Sequence, residues 1–200
     1  MSCNMMIPDV LSGIRSMKVH SRVLVAAGAC ALGLAAGAAH AGGPGGSYVQ
    51  GAYADWDDAD NGFNAGGSLM ISPSLRLFGD YTDTDLEQLR LGGGVILPMA
   101  SPLGLEIGGS YQNLQVDNPG PGGLDDDGFG VHGIARLAAT PEFTLAGKVE
   151  YVFRDDIDDE LVFGVDADYR FLPQLSGFVS YEVYDEIDND LFMAGARLHF

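Results

Sequence analysis

Cysteine is missing from the chain beyond residue 41: Cys3 and Cys30 both precede that point. A disulfide framework, a thiol nucleophile and a cysteine metal site are thereby excluded from everything downstream. Basic residues are scarce as well, with 10 Lys and Arg against 28 Asp and Glu and a formal net charge of −18. Lys148 is the one lysine after residue 41. That scarcity argues against nucleic acid as a partner, since phosphate binding depends on clustered Lys and Arg. Only His132 and His199 remain to serve as imidazole bases. Helix-period patterning is absent too, so the downstream chain has to fold through strands.

What is there begins with a targeting segment. From Met17 the chain reads MKVHSR, a short basic start, then VLVAAGACALGLAAGA, an apolar run, and it closes on Ala39-His40-Ala41, an A-x-A cleavage site. That three-part build is a secretory signal peptide, with cleavage before Gly42. Residues 1–16 lack this character and are read as lying upstream of the true start, Met17. Cys30 is not read as a lipid anchor, because Ala27 stands three places earlier where a leucine-like residue is needed. Residues 1–41 are therefore an upstream segment plus a leader, and 42–200 form one domain. Without Arg15, Lys18, Arg22 and Asp9 the charge of that domain is −20.

Strand candidates follow near 47–56, 62–72, 75–83, 87–97, 103–114, 128–138, 143–153, 160–171, 175–184 and 191–200. Each has roughly the nine to eleven residues that a tilted strand needs to cross a bilayer. Odd-numbered strands are followed by DWDDADNG, DTDLE, VDNPGPGGLDDD, RDDIDDE and DEIDND, all acidic. Even-numbered strands are followed by SPS, PMASP, ATPE and LPQ, all short and proline-punctuated. A meander with two unlike sides predicts an all-β fold: a closed, antiparallel, up-and-down transmembrane β-barrel of ten strands, with eight as the alternative count. A soluble β-sandwich would place the same residues in a core, but this two-sided loop chemistry counts against it.

Alternation then sorts the side chains. Leu75, Leu77, Gly79 and Tyr81 share one strand face, and Arg76, Phe78 and Asp80 share the other. Arg76, Arg90, Arg136, Lys148, Arg154, Arg170 and Arg197 all fall on the polar parity, as do Asp80, Glu106, Glu150, Asp166, Asp168 and Glu182. A charge buried in a narrow lumen is costly unless paired, and Arg can bind a carboxylate through two parallel hydrogen bonds. The pattern predicts an ion-pair network across the interior, with Arg154 at its rim and Phe78, Arg90, Arg136, Tyr184 and Met193 filling space. Tyr53, Tyr81, Tyr111, Tyr151 and Tyr181 take equivalent places on the apolar face, just before the acidic loops, and are read as an aromatic girdle. Phe143, Tyr169, Phe171 and Phe200 supply a second one at the other end.

The final strand, LFMAGARLHF, sets Phe192, Ala194, Ala196, Leu198 and Phe200 at alternating places. It looks like the C-terminal signal by which outer-membrane barrels are recognised for assembly. From residue 42 to about 200 the chain resembles the small outer-membrane β-barrel proteins of the OmpA/OmpX-like class. It departs from their commonest members in strand number and in its shorter loops. The resemblance implies residence in the outer membrane of a Gram-negative bacterium, insertion by the barrel-assembly machinery, and contact with membrane lipid and lipopolysaccharide. It implies no catalytic residue.

The expected role is structural or surface-interacting, with a filled lumen and acidic extracellular loops. The alternative is a narrow, porin-like channel for small solutes or ions, a thin water path beside the ion pairs. An enzyme would need a base beside a nucleophile, and neither His132, near mid-strand, nor His199, at the short-turn end, is placed by the acidic loops. No cofactor is expected. The loops admit three uses: a solvated, self-repelling rim, recognition of a basic partner, or weak shared binding of Ca²⁺ or Mg²⁺ at Asp57, Asp58, Asp60, Asp125, Asp126 and Asp127. A dedicated calcium loop beginning at Asp57 fails, because Ala59 and Ser68 occupy its third and twelfth places.

Overall fold

A computed structural model describes residues 46–57, 61–97, 99–116, 125–155 and 158–200; the leader lies outside them. The period-two segments form β1 (Tyr48–Trp56), β2 (Gly62–Ser72), β3 (Leu75–Asp83), β4 (Leu86–Leu97), β5 (Leu103–Val116), β6 (Asp125–Ala138), β7 (Phe143–Arg154), β8 (Glu160–Leu172), β9 (Leu175–Tyr184) and β10 (Asn189–His199). Each strand pairs antiparallel with its chain neighbours. β1 pairs with β10 from Tyr48↔His199 to Trp56↔Leu191, which closes the sheet. Closure satisfies the edge groups that an open sheet leaves bare. The fold is a closed, all-antiparallel barrel of ten strands.

Strand ends differ from the sequence expectation mainly on the long-loop side. β5 runs on to Val116 and β6 begins at Asp125, so Asp125, Asp126 and Asp127 are strand residues rather than loop. A polar ladder extends the pairing past the apolar band: Asn113 Nδ2 donates to Asp125 Oδ1 and to Asp127 Oδ1, both at 2.9 Å. Gln115 Nε2 donates to Asp125 Oδ1 at 3.0 Å. Cross-strand pairs of this kind are what stabilise a sheet locally. β10 begins early, at Asn189, because the chain reverses through Asp188, whose φ of 47° is a left-handed conformation that Asp tolerates better than most residues.

The two faces of the sheet are inverted relative to a soluble barrel. Phe129 is 65% exposed and Val165 61% on the outside, whereas Glu106 at 0% and Glu150 at 1% are buried within. Leu77, Val95, Ile107 and Phe171 join the outward apolar set. Apolar outside and polar inside is the arrangement of a barrel whose wall contacts lipid. The lumen itself divides by height. Toward the loop end Ala54, Trp56, Leu86, Leu114, Val152, Val162, Tyr184 and Leu191 form one buried cluster that continues down to Phe178 and Met193, with Thr82, Gln88, Gln112, Asp126, Arg154 and Glu160 buried beside it. Toward the short-turn end the lumen is lined by charge.

Candidate functional site

Glu106 organises the turn-end half of the lumen. Strand alternation on β5 points it inward, and the neighbouring β6 and the next-but-one strand β3 carry Arg136 and Arg76 on the same side. Arg76 grips it with two parallel bonds, Nε to Oε2 at 2.8 Å and Nη2 to Oε1 at 2.7 Å, and Arg136 Nη1 reaches Oε2 at 2.8 Å. His132 Nε2 lies 3.4 Å from Oε1, and its ring meets Phe78 edge-on. Glycine makes the room. A Cβ on Gly94 would stand 2.6 Å from Glu106 Oε1, and one on Gly130 would stand 2.5 Å from Glu150 Oε1. Sorting charges by parity does not reveal these two glycines; the readable signal is that they share the inward parity of their strands.

A second group sits at mid-height. Arg90 contacts Asp80 at 3.2 Å, Glu182 at 3.3 Å and Glu150 at 3.7 Å, while Lys148 Nζ contacts Glu182 at 2.8 Å and Glu150 at 3.3 Å. A third joins β10 to β8: Arg197 binds Asp166 through two bonds, at 2.9 and 2.8 Å, and Asp168 at 3.1 Å. Its guanidinium carbon stands 3.9 Å from the centroid of the Phe178 ring and 5.0 Å from that of Tyr48. At the loop end, Arg154 lies 3.0 Å from Glu160 and 3.5 Å from Asp126, all three side chains being wholly buried. Asp126 is thus a lumen carboxylate and not a loop ligand, and Glu160, absent from the expected network, belongs to it.

Arg170 departs from the expected network. Among the described residues no carboxylate lies within 4.0 Å of it, and its buried Nε has no hydrogen-bond partner. The acid nearest along the strand, Asp168, already receives Arg197 at 3.1 Å and the Ser176 hydroxyl at 2.8 Å, both on Oδ2.

Above the mid-height group, level with Arg154, Glu160 and Asp126, stands a mainly apolar plug. Trp56 and Tyr184 pack at 4.9 Å between ring centroids, each 1% exposed, ringed by Leu86, Leu114, Val152, Val162 and Leu191. Sequence reasoning places Tyr184 inside but does not single out Trp56; the available signal is Ala54 and Trp56 on the inward parity of β1. Beneath the plug is a cavity of about 380 Å³, lined from Pro141 and Glu142 in the β6–β7 turn up to Arg90, Glu150, Glu182 and Met193.

The remaining candidates are outward or terminal. The five tyrosines face away from the lumen, and Tyr81, Tyr111 and Tyr151 donate to Glu87 at 3.1 Å, Asp127 at 2.5 Å and Asp159 at 2.9 Å. Tyr181 likewise donates to Asp190. Phe192 and Leu198 stand exposed on the outer face of β10, and the Phe200 amide donates to the Ser47 carbonyl at 3.2 Å. Asp125 and Asp127 point out while Asp126 points in, so these three carboxylates do not converge on one ion. Asp58 and Asp60 lie outside the described residues, and among the described residues no three His, Cys, Asp or Glu are arranged to hold a metal. His199 Nε2 is 2.8 Å from Ser176 Oγ, and that hydroxyl gives its one proton to Asp168. The imidazole is then the donor to Ser176 and anchors it rather than activating it.

The geometry defines an inside-out barrel with a charged lumen. In overall shape the chain is similar to the KdgM porin, at 11% identity over 76% of this chain and 99% of that one, with a TM-score of 0.48. It is similar to the NanC porin at 9% identity over 77% and 100%, with a TM-score of 0.48. It is also similar to an outer membrane channel from Pseudomonas putida F1 at 9% identity over 78% and 96%, with a TM-score of 0.47. No protein-family model and no curated protein matches the sequence. At such identities and scores the lumen and loops have to be read from this chain's own residues.

Proposed function

We propose that this chain is an outer-membrane barrel, sealed at its loop end, that serves a structural or surface-interaction role through its acidic outer face. The Trp56–Tyr184 plug is the observation that carries the reading: a water path needs open, hydrated space, and this segment of the lumen is filled by buried side chains, the apolar cluster about Trp56 and Tyr184 together with the paired Arg154, Glu160 and Asp126. The ion pairs beneath it brace the wall. On this reading the leader exports the chain, Phe192, Leu198 and Phe200 present it to the barrel-assembly machinery, and the five tyrosines sit at the level of lipid and lipopolysaccharide headgroups. Exposed loop acids such as Asp57 bridge to lipid phosphate through shared Ca²⁺ or Mg²⁺. No catalytic step is assigned.

A second reading, a narrow porin-like channel, is favoured by the cavity that rises from the β6–β7 turn to mid-lumen and leaves the plug as the barrier above it. Planar-bilayer recording separates the two. Purified wild-type protein is expected to give no steady conductance, and uniform, sustained openings would replace the sealed barrel with the channel.

A further inference from the structure

The cations in the lumen are not all alike. Arg76, Arg90, Arg136, Lys148, Arg154 and Arg197 each lie within 4.0 Å of at least one carboxylate. Arg170 has none among the described residues, yet it lines the cavity and its Nε is buried without a partner. A guanidinium keeps its charge throughout the physiological pH range and offers five N–H donors. The side chain as a whole is half-buried, so its guanidinium can be reached from the cavity.

The wall carboxylates of the vestibule are each taken by another arginine. In this turn-end half, Arg76, Arg136, Arg170 and Arg197 face Glu106, Asp166 and Asp168 in the wall, and Glu142 at the mouth brings the formal charges level. Glu142, at the mouth, is exposed and accepts a bond from its own turn, Thr140 Oγ1 at 3.1 Å. Above, the mid-lumen group sets Arg90 and Lys148 against Asp80, Glu150 and Glu182. The whole cavity is lined by equal numbers of cations and carboxylates, and within it Arg170 is the cation that no carboxylate among the described residues has taken. The cavity as a whole, mid-lumen included, has a volume of about 380 Å³, at the small end of ligand pockets, which suits a single small molecule rather than a polymer.

We propose that this turn-end vestibule is a binding site for a small anion bearing a carboxylate or phosphate group, with Arg170 as its anchor. The proposal goes beyond the sealed-barrel reading and stands whether or not the lumen conducts, because the cavity opens at the turn end in either case.

Isothermal titration of the full folded barrel in maltoside micelles, which carry no phosphate, tests it with inorganic phosphate and separately with glutarate. Saturable, one-site binding of at least one probe is expected. Arg170→Gln should weaken it about tenfold or more, the loss of a charge-assisted contact, and Arg170→Lys should retain part of it. Glu142→Gln should tighten it, since it removes a like charge from the mouth. In wild-type protein the Arg170 Nε–Hε resonance should move as the binding probe is added, a readout that requires no variant to fold. The proposal is overturned if neither probe binds up to about 10 mM, the weak limit of a useful site. It is equally overturned if Arg170→Gln binds as tightly as wild type, or if the Arg170 resonance stays fixed while a probe saturates.

Discussion

Glu106 has no solvent exposure and two arginines directly on its carboxylate, so removing its charge leaves Arg76 and Arg136 facing each other in a buried site. Breaking one side of a buried ion pair typically costs about 3–5 kcal/mol. Glu106→Gln is therefore expected to lower stability by about that much in urea titration of the micelle-folded protein; an unchanged midpoint would mean that the pairs do not brace the wall. The glycine beside it should be nearly as sensitive. Every atom that a Cβ on Gly94 would meet belongs to Glu106, which is held on three sides and cannot yield, so Gly94→Ala should cost about 1–3 kcal/mol. Gly51 has nothing within 4 Å of a Cβ, and Gly51→Ala should stay within about 0.5 kcal/mol of wild type in the same titration.

At the scale of elements, the loop-side ends of several strands contribute one apolar residue each to the seal. Trp56 closes β1, Leu86 opens β4, Leu114 lies near the end of β5, Leu191 near the start of β10, and Tyr184 ends β9. Trp56→Ala removes the largest of these side chains, and a buried Trp→Ala change costs about 3–5 kcal/mol. The same variant should admit water to the cavity below and give measurable conductance in bilayers where wild type is silent. Continued silence from a folded Trp56→Ala barrel would place the barrier elsewhere. The β10 residues Phe192 and Leu198 stand exposed on the outer wall and form no part of the lumen packing. Truncating Phe200 to Ala is expected to reduce the amount of barrel assembled in cells while leaving the urea midpoint of refolded protein within about 0.5 kcal/mol of wild type.

Taken whole, the molecule separates its charge by position. The lumen holds its cations, Arg170 apart, close to carboxylates, and most of the exposed acids gather at the loop end, so the excess negative charge meets the surroundings rather than the interior. An inside-out barrel with every strand paired to two neighbours should survive detergent unheated. On denaturing gels the folded form should run faster before boiling than after, and identical mobility would argue for a soluble or open sheet.

Strand number and most strand ends were legible because period-two alternation and proline turns are local properties, read within a few residues. The inward parity of the seven cations was legible for the same reason. Which partner each cation takes was not. Asp168 goes to Arg197 of β10 instead of to Arg170 on its own strand, and this depends on the registers of β8 and β10 on the intervening β9, which bring Arg197 within 3.1 Å of it. Asp126 joins Arg154 and Glu160 inside because the Asn113 and Gln115 ladder carries β5 and β6 past the point where apolar alternation stops. The seal is tertiary in the same sense: its residues lie on different strands, and only the closed register sets them at one height. Sequence by itself determined the barrel and the face each side chain takes; tertiary structure decided the pairings, the seal and the one arginine left without a carboxylate, since those depend on distances across the lumen that no local pattern encodes.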